Sequence, residues 1–198
     1  MNPHFEISDT TLIYAVLDSA EYGTLAVCQE NRPYAVPLNF ARIDETIYFH
    51  GALKNKKMQI LAENPHASFN VVENFSLIDS DFSATDGLAC PASQFFKSVS
   101  INGVIEIVES RAEKAQALEA LMQKLQPKGG YTPLHDEVYD KALKATAVYK
   151  LVPEEMRCKF KFGQHVSDER FERIIIHLEQ RGRELDLRTI KEMRKWKR

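Results

Sequence analysis

The chain has 198 residues, of which 44% are hydrophobic and 27% charged, with a formal net charge of −2 at pH 7. That length suits one ordinary domain with appendages, and the composition is globular rather than disordered. The charge balance excludes a polycation built for nucleic acid; Cys28, Cys90 and Cys158 are too few and scattered for a disulfide framework or zinc ribbon, and no apolar run or basic-then-apolar N-terminus marks a membrane span or leader.

A soluble, cytoplasmic protein is therefore expected. Ser8 or Asp9 is placed to cap a helix over Thr10 to Ala20, with Leu12, Ile13, Val16 and Leu17 as its apolar stripe. Thr24 to Cys28 is β-rich and leads through a turn into Tyr34 to Phe40, an apolar alternation. A turn at Arg42–Glu45 precedes another strand, Thr46 to His50. Strands so close together predict an antiparallel meander. Pro37 inside a strand pattern points to an edge or a bulge, because proline has no N–H to give a ladder.

After Gly51-Ala52, the lysines Lys54, Lys56 and Lys57 open a short helix whose expected apolar face is Met58, Leu61 and Ala62. Its first turn combines unpaired backbone N–H groups, the positive end of the helix dipole and mobile ammonium groups, which together suit an anion. Glu63-Asn64-Pro65 stops it. His66 to Val72 alternates as a strand, Phe75 to Ser93 reads mostly as a loop, and Gln94 to Glu109 as a strand pair or one long bent strand with Asn102-Gly103 as bulge or turn. Glu113 to Leu125 is a helix, Val138 to Leu143 a shorter one. Strands are expected over 146–152 and 155–162, followed by a helix from Asp168 to Arg181 and a basic last helix. From Arg181 to Arg198 eight Lys/Arg face three Asp/Glu, a pattern that ordinarily marks a solvated helix face.

Chemistry-bearing motifs are few. No GxGxxG or GxxxxGK[ST], no HExxH or metal-spaced His/Cys set, and no GxSxG is present, so any redox chemistry would belong to a cofactor, with no catalytic acid, base or nucleophile to name.

The pattern P-x-x-V-P-L-N-F from Pro33, followed by I-Y-F-H-G-A-x-x-x-x-K ending at Lys57, resembles the flavin mononucleotide (FMN) binding split-barrel proteins. It is most similar to the nitroimidazole-resistance (Nim) group, related to pyridoxamine 5′-phosphate oxidase. The resemblance runs from about Tyr22 to about His165. It implies a mainly β, α+β fold: a split β-barrel of antiparallel strands with peripheral helices. Residues 1–165 would form the FMN-binding domain, and residues 166–198 a C-terminal helical extension packed on it.

The resemblance implies that His50, Asn55, Lys56 and Lys57 hold the FMN phosphate, and that Val36, Pro37, Leu38 and Asn39 line the isoalloxazine ring. Asn55 stands where the family often has Gly or Ser. Ser98 matches a polar position near the ring. Lys159 to His165 is similar to a K-x-K-x-x-Q-[NH] signature, which adds Lys161 and Gln164 to the implied cofactor set. The same residues have plainer uses: lysines solvate short helices and protect edge strands, and a histidine at a strand end usually bonds a carbonyl.

As partners the resemblance implies a homodimer with FMN at the subunit interface, a small-molecule substrate and NAD(P)H as electron donor, with no membrane or nucleic acid. It leaves two other readings open. One is a flavin-binding sensor or transcriptional regulator of the same fold. The other is a split-barrel haem-binding protein, with His165 and His177 as the residues that keep it open.

Overall fold

The computed structural model describes residues 2–54 and 56–197. The chain divides into two compact units. The larger is Thr10–Val71 with Val99–Arg157; the other is Met1–Asp9, Val72–Ser98 and Cys158–Arg198.

Eight strands form one sheet: β1 (Glu6–Ile7), β2 (Tyr22–Gln29), β3 (Arg32–Asn39), β4 (Ala41–Ile43), β5 (Thr46–Ala52), β6 (His66–Ile78), β7 (Ser93–Ile107) and β8 (Thr146–Lys161). The order is β3-β2-β6-β7-β8-β5-β4, and β1 pairs with β8 off that path. Every registered pair is antiparallel. The helices are α1 (Thr10–Ser19), α2 (Lys56–Glu63), α3 (Ser80–Ser83), α4 (Arg111–Leu125), α5 (Asp140–Ala145), α6 (Asp168–Arg181) and α7 (Glu184–Trp196). The fold is the α+β split β-barrel. Among the described residues no helix is long and apolar enough to cross a membrane.

Within the larger unit the core forms where the alternation of each strand turns its apolar residues to one side. Leu25 and Val27 of β2, Ile47 and Phe49 of β5 and Phe69 of β6 are buried. Phe40 meets Phe69 edge-on at 5.0 Å, and Ile13, Val16 and Leu17 of α1 and Ala117 and Leu121 of α4 face inward. β3 is an edge strand, paired to β2 alone, which is how it accommodates Pro37 opposite Thr24.

The second unit is built on rings. Phe75 meets Phe162 at 4.9 Å and Phe160 meets Trp196 at 5.2 Å, both near-perpendicular. Phe171, Ile174, Ile175 and Leu178 supply the apolar stripe of α6. Gly182, at φ +66°, ends that helix in the left-handed conformation that glycine adopts without steric cost.

Three strands, β4, β6 and β8, differ from the sequence expectation. β4 occupies part of the expected turn at 42–45. β6 runs six residues past Val72, to Ile78, and α3 follows, so the expected loop is shorter. Within that extension Glu73 pairs with Arg188 at 3.1 Å. Of the two expectations for 94–109, the single long strand holds, as β7 over Ser93–Ile107, and Gly103 stays in it because a Cβ there would overlap the Val152 carbonyl oxygen. The two late strands are likewise one, β8, running through Pro153.

Candidate functional site

The strands and helix singled out by sequence lie in the larger unit, but the expected meander is not continuous: β3 pairs with β2, whereas β5 pairs with β4 and β8, at the other end of the strand order. β5 places Phe49 opposite Tyr149 of β8, and the two rings stack at 5.2 Å. The strand continues through His50 and Gly51 to Ala52, and α2 begins at Lys56 and packs on β2. Asn55 lies outside the described residues.

α2 is rotated relative to the expected face. Lys57, Ile60 and Leu61 are its buried residues, at i, i+3 and i+4, while Ala62 is exposed and Met58 half-buried. The turn that sinks Ile60 into the core therefore sinks a lysine with it. Lys57 is only 9% exposed. Its Nζ lies 5.0 Å from the centre of the Phe49 ring and 5.2 Å from that of Tyr149. These ring faces supply partial negative charge, but among the described residues no carboxylate pairs with Lys57. Burial alone holds its pKa below the ordinary amine range.

His50 stands exposed at the same strand end, yet partial desolvation of its ring, and secondarily the Lys57 charge, push its pKa below that of an ordinary histidine. Lys56 is exposed, its Nζ 4.8 Å over the Tyr34 ring of β3. Two lysines and a neutral imidazole thus meet the first turn of a helix, an arrangement that would be relieved by an anion.

β3 supplies the neighbouring surface. Val36 and Leu38 are half-buried, while Pro37 and Asn39 are exposed. The Asn39 amide donates to the Glu21 carbonyl at 2.9 Å, which fixes its orientation at the end of the strand. The rings that flank the lysines, Tyr34, Phe49 and Tyr149, were not singled out by sequence. Phe49 was foreshadowed by alternation, but its pairing with Tyr149 is set by a register between strands a hundred residues apart.

The remaining expected site residues lie in the second unit. Ser98 is half-buried in β7. Lys161 ends β8 and donates to Ser93 Oγ at 2.6 Å. Gln164 is occupied by its own turn: its Oε1 accepts from the Phe162 N–H and its Nε2 donates to the Phe160 carbonyl, both at 2.8 Å. Among the described residues no group of three or more His, Cys, Asp or Glu side chains is arranged to hold a metal ion.

The fold is shared with several solved proteins. The flavocytochrome Anf3 of Azotobacter vinelandii is 24% identical, with a TM-score of 0.69 over 84% of this chain and 74% of that one. The FAD and haem binding protein of Mycobacterium smegmatis is 20% identical, with a TM-score of 0.66 over 84% and 78%. A candidate 5-nitroimidazole antibiotic resistance protein of Bacteroides thetaiotaomicron is 23% identical, with a TM-score of 0.64 over 78% and 85%. Comparison with curated protein sequences finds no match. The pyridoxamine 5′-phosphate oxidase family model matches residues 9–160, most of the chain and all of the β3–β5–α2 site; the chain belongs to that family.

Proposed function

We propose that this chain is a flavoprotein that holds FMN between two identical subunits and passes electrons from NADH or NADPH to a small acceptor such as a nitroaromatic. The observation that carries this reading is Lys57, a buried cation with no carboxylate partner among the described residues. Such a group is costly in an apo-protein and favourable against a phosphate. Lys56, His50 and the first-turn N–H groups of α2 add donors to the same anion. One compact cationic cluster suits the terminal phosphate of FMN better than the bridging diphosphate of FAD.

β3 suits the ring. Val36, Pro37, Leu38 and Asn39 lie on an edge strand whose exposed residues alternate with half-buried ones, so a flat aromatic ligand and a second subunit could both cover it. Structural relatives named for flavin and for FAD support a flavin of some kind. When bound, the flavin supplies the hydride chemistry, while the chain binds, orients and shields it.

Reconstitution with FMN followed by anaerobic mixing with NADH or NADPH tests the activity. Bleaching of the yellow colour, restored by a nitroaromatic acceptor, is expected. No reduction by either nicotinamide would favour the sensor or regulator reading. One structural relative is named for haem and another as a flavocytochrome, and the absorbance spectrum of the purified protein separates a haem reading, since haem and flavin absorb differently.

A further inference from the structure

The second unit contains a cavity of about 310 Å³ that shares only Lys161 with the residues the family resemblance implies for the flavin. Its floor is apolar, with Phe5, Phe95 and Ile174. Its polar lining is basic: Lys161, His165 and Arg170 face it with the hydroxyls of Ser83 and Ser93, and among the described residues no carboxylate lines it.

None of the three basic side chains meets a carboxylate among the described residues: neither Lys161, His165 nor Arg170 takes part in an ion pair. The Lys161 ammonium donates to Ser93 Oγ at 2.6 Å and the Arg170 guanidinium to Ser83 Oγ at 2.8 Å. The Arg170 Nε is buried and has no acceptor among the described residues. A guanidinium in a folded protein rarely leaves a buried donor unmet unless something absent supplies the acceptor. The ring of His165 is braced edge-on against Phe5 at 5.1 Å, so it does not swing freely. Gly163, at φ +77°, turns the chain between Lys161 and His165 and brings both to the same wall.

We infer that this cavity binds a small oxyanion-bearing molecule, its phosphate or carboxylate group held by Arg170, Lys161 and His165 and its apolar part against Phe5 and Phe95. Arginine presents a planar fork to such a group, and lysine adds a point charge. The charges also press on one another. Burial first, then Arg170 and Lys161 with His4 and Lys197, hold His165 below the ordinary histidine range, and burial with Lys159 lowers Lys161. An anion between them would remove that repulsion.

Cys90 makes the test direct, because it lines the cavity and is exposed. Cys158 is buried, its thiol pushed up to about 12, and half-buried Cys28 in the other unit serves as an internal reference. The rate of Cys90 alkylation by iodoacetamide would be followed by peptide mass spectrometry against added sodium phosphate or sodium acetate, with sodium chloride matching ionic strength. Slower alkylation of Cys90 but not Cys28 is expected; phosphate acting alone identifies a phosphate site, and both acting identifies a general oxyanion site. In Arg170→Gln and in Lys161→Gln the protecting concentration should rise about tenfold or more. Lys57→Ala should leave protection unchanged, which separates this cavity from the proposed flavin phosphate site. Lys161→Gln, at a strand end, carries the test if Arg170→Gln does not fold. No protection by either anion, protection that survives both cavity variants, or protection lost in Lys57→Ala would overturn the inference.

Discussion

Lys57 can be separated from an ordinary structural lysine by what happens when its charge is removed from the apo-protein. Replacing a buried, unpaired ammonium by an apolar side chain of similar length removes a desolvation cost. The Lys57→Met apo-protein should therefore be as stable as the parent or more so, by about 1 kcal/mol in chemical denaturation. The sign of the pH dependence follows from the lowered pKa. The native state releases this proton before the unfolded chain does, so stability from Lys57 rises as pH climbs through the native value. The gap between Lys57→Met and the parent should consequently narrow from neutral to alkaline pH. Lys124, lowered to about 8 chiefly by burial, contributes in the same direction in both proteins and cancels in the difference. A large loss of stability in Lys57→Met would mean that the lysine is built into the fold rather than reserved for a ligand.

At the scale of elements, the junction of α6 and α7 is held by a buried carboxylate. Asp186 is 1% exposed and accepts from Arg181 at 2.7 and 3.0 Å, from Ser76 at 2.6 Å and from the Arg183 N–H at 3.1 Å. The Arg181 hydrogen bonds lead in lowering its pKa from 3.8 to about 2. Because the native value lies below the unfolded one, the stability from this group is fully present above about pH 4 and is lost as pH falls towards 2. About 2 kcal/mol should disappear in that window, read by acid denaturation. Arg181→Met should cost about 3 kcal/mol at neutral pH by leaving Asp186 buried without its cation.

The same elements show what a sequence can carry. α6 was legible in full, from the Ser167 cap to Gly182, because cap, stripe and stop are all local signals. The strands β3 and β5 and the lysine helix were legible for the same reason, but the pairing of β5 with β8 instead of β3 was not, because it joins segments a hundred residues apart. The depth of Lys57 was not, because the rotation of α2 is decided by its packing on β2 rather than by its own pattern. Nor were the full lengths of β6 and β8. Glu73, Asn74 and Pro153 lie just past the expected strand ends, and distant partners (Arg188 for Glu73, Gln94 for Asn74, the close-packed Gly103 of β7 beside Pro153) accompany the continuation. Arg170 gave no signal, since an arginine in the first turn of an amphipathic helix is ordinarily a solvated group.

At the scale of the whole molecule the proposal links assembly to cofactor. If two subunits share FMN, ligand that binds only the native dimer raises its stability by mass action, about 2.7 kcal/mol at a hundredfold excess over Kd. The melting temperature should rise with FMN, and sedimentation should show a dimer. A monomer with full FMN occupancy would contradict the shared site.

The central claim is that Lys57 is reserved for the FMN phosphate, and the most direct measurement compares FMN with riboflavin on the parent and on Lys57→Ala. Riboflavin has the ring and the ribityl chain but no phosphate. The account predicts that Lys57→Ala weakens FMN by about 1.5–3 kcal/mol, roughly tenfold to hundredfold, while riboflavin binds both proteins equally. Equal FMN affinity in the two proteins would remove Lys57 from the site and contradict the account.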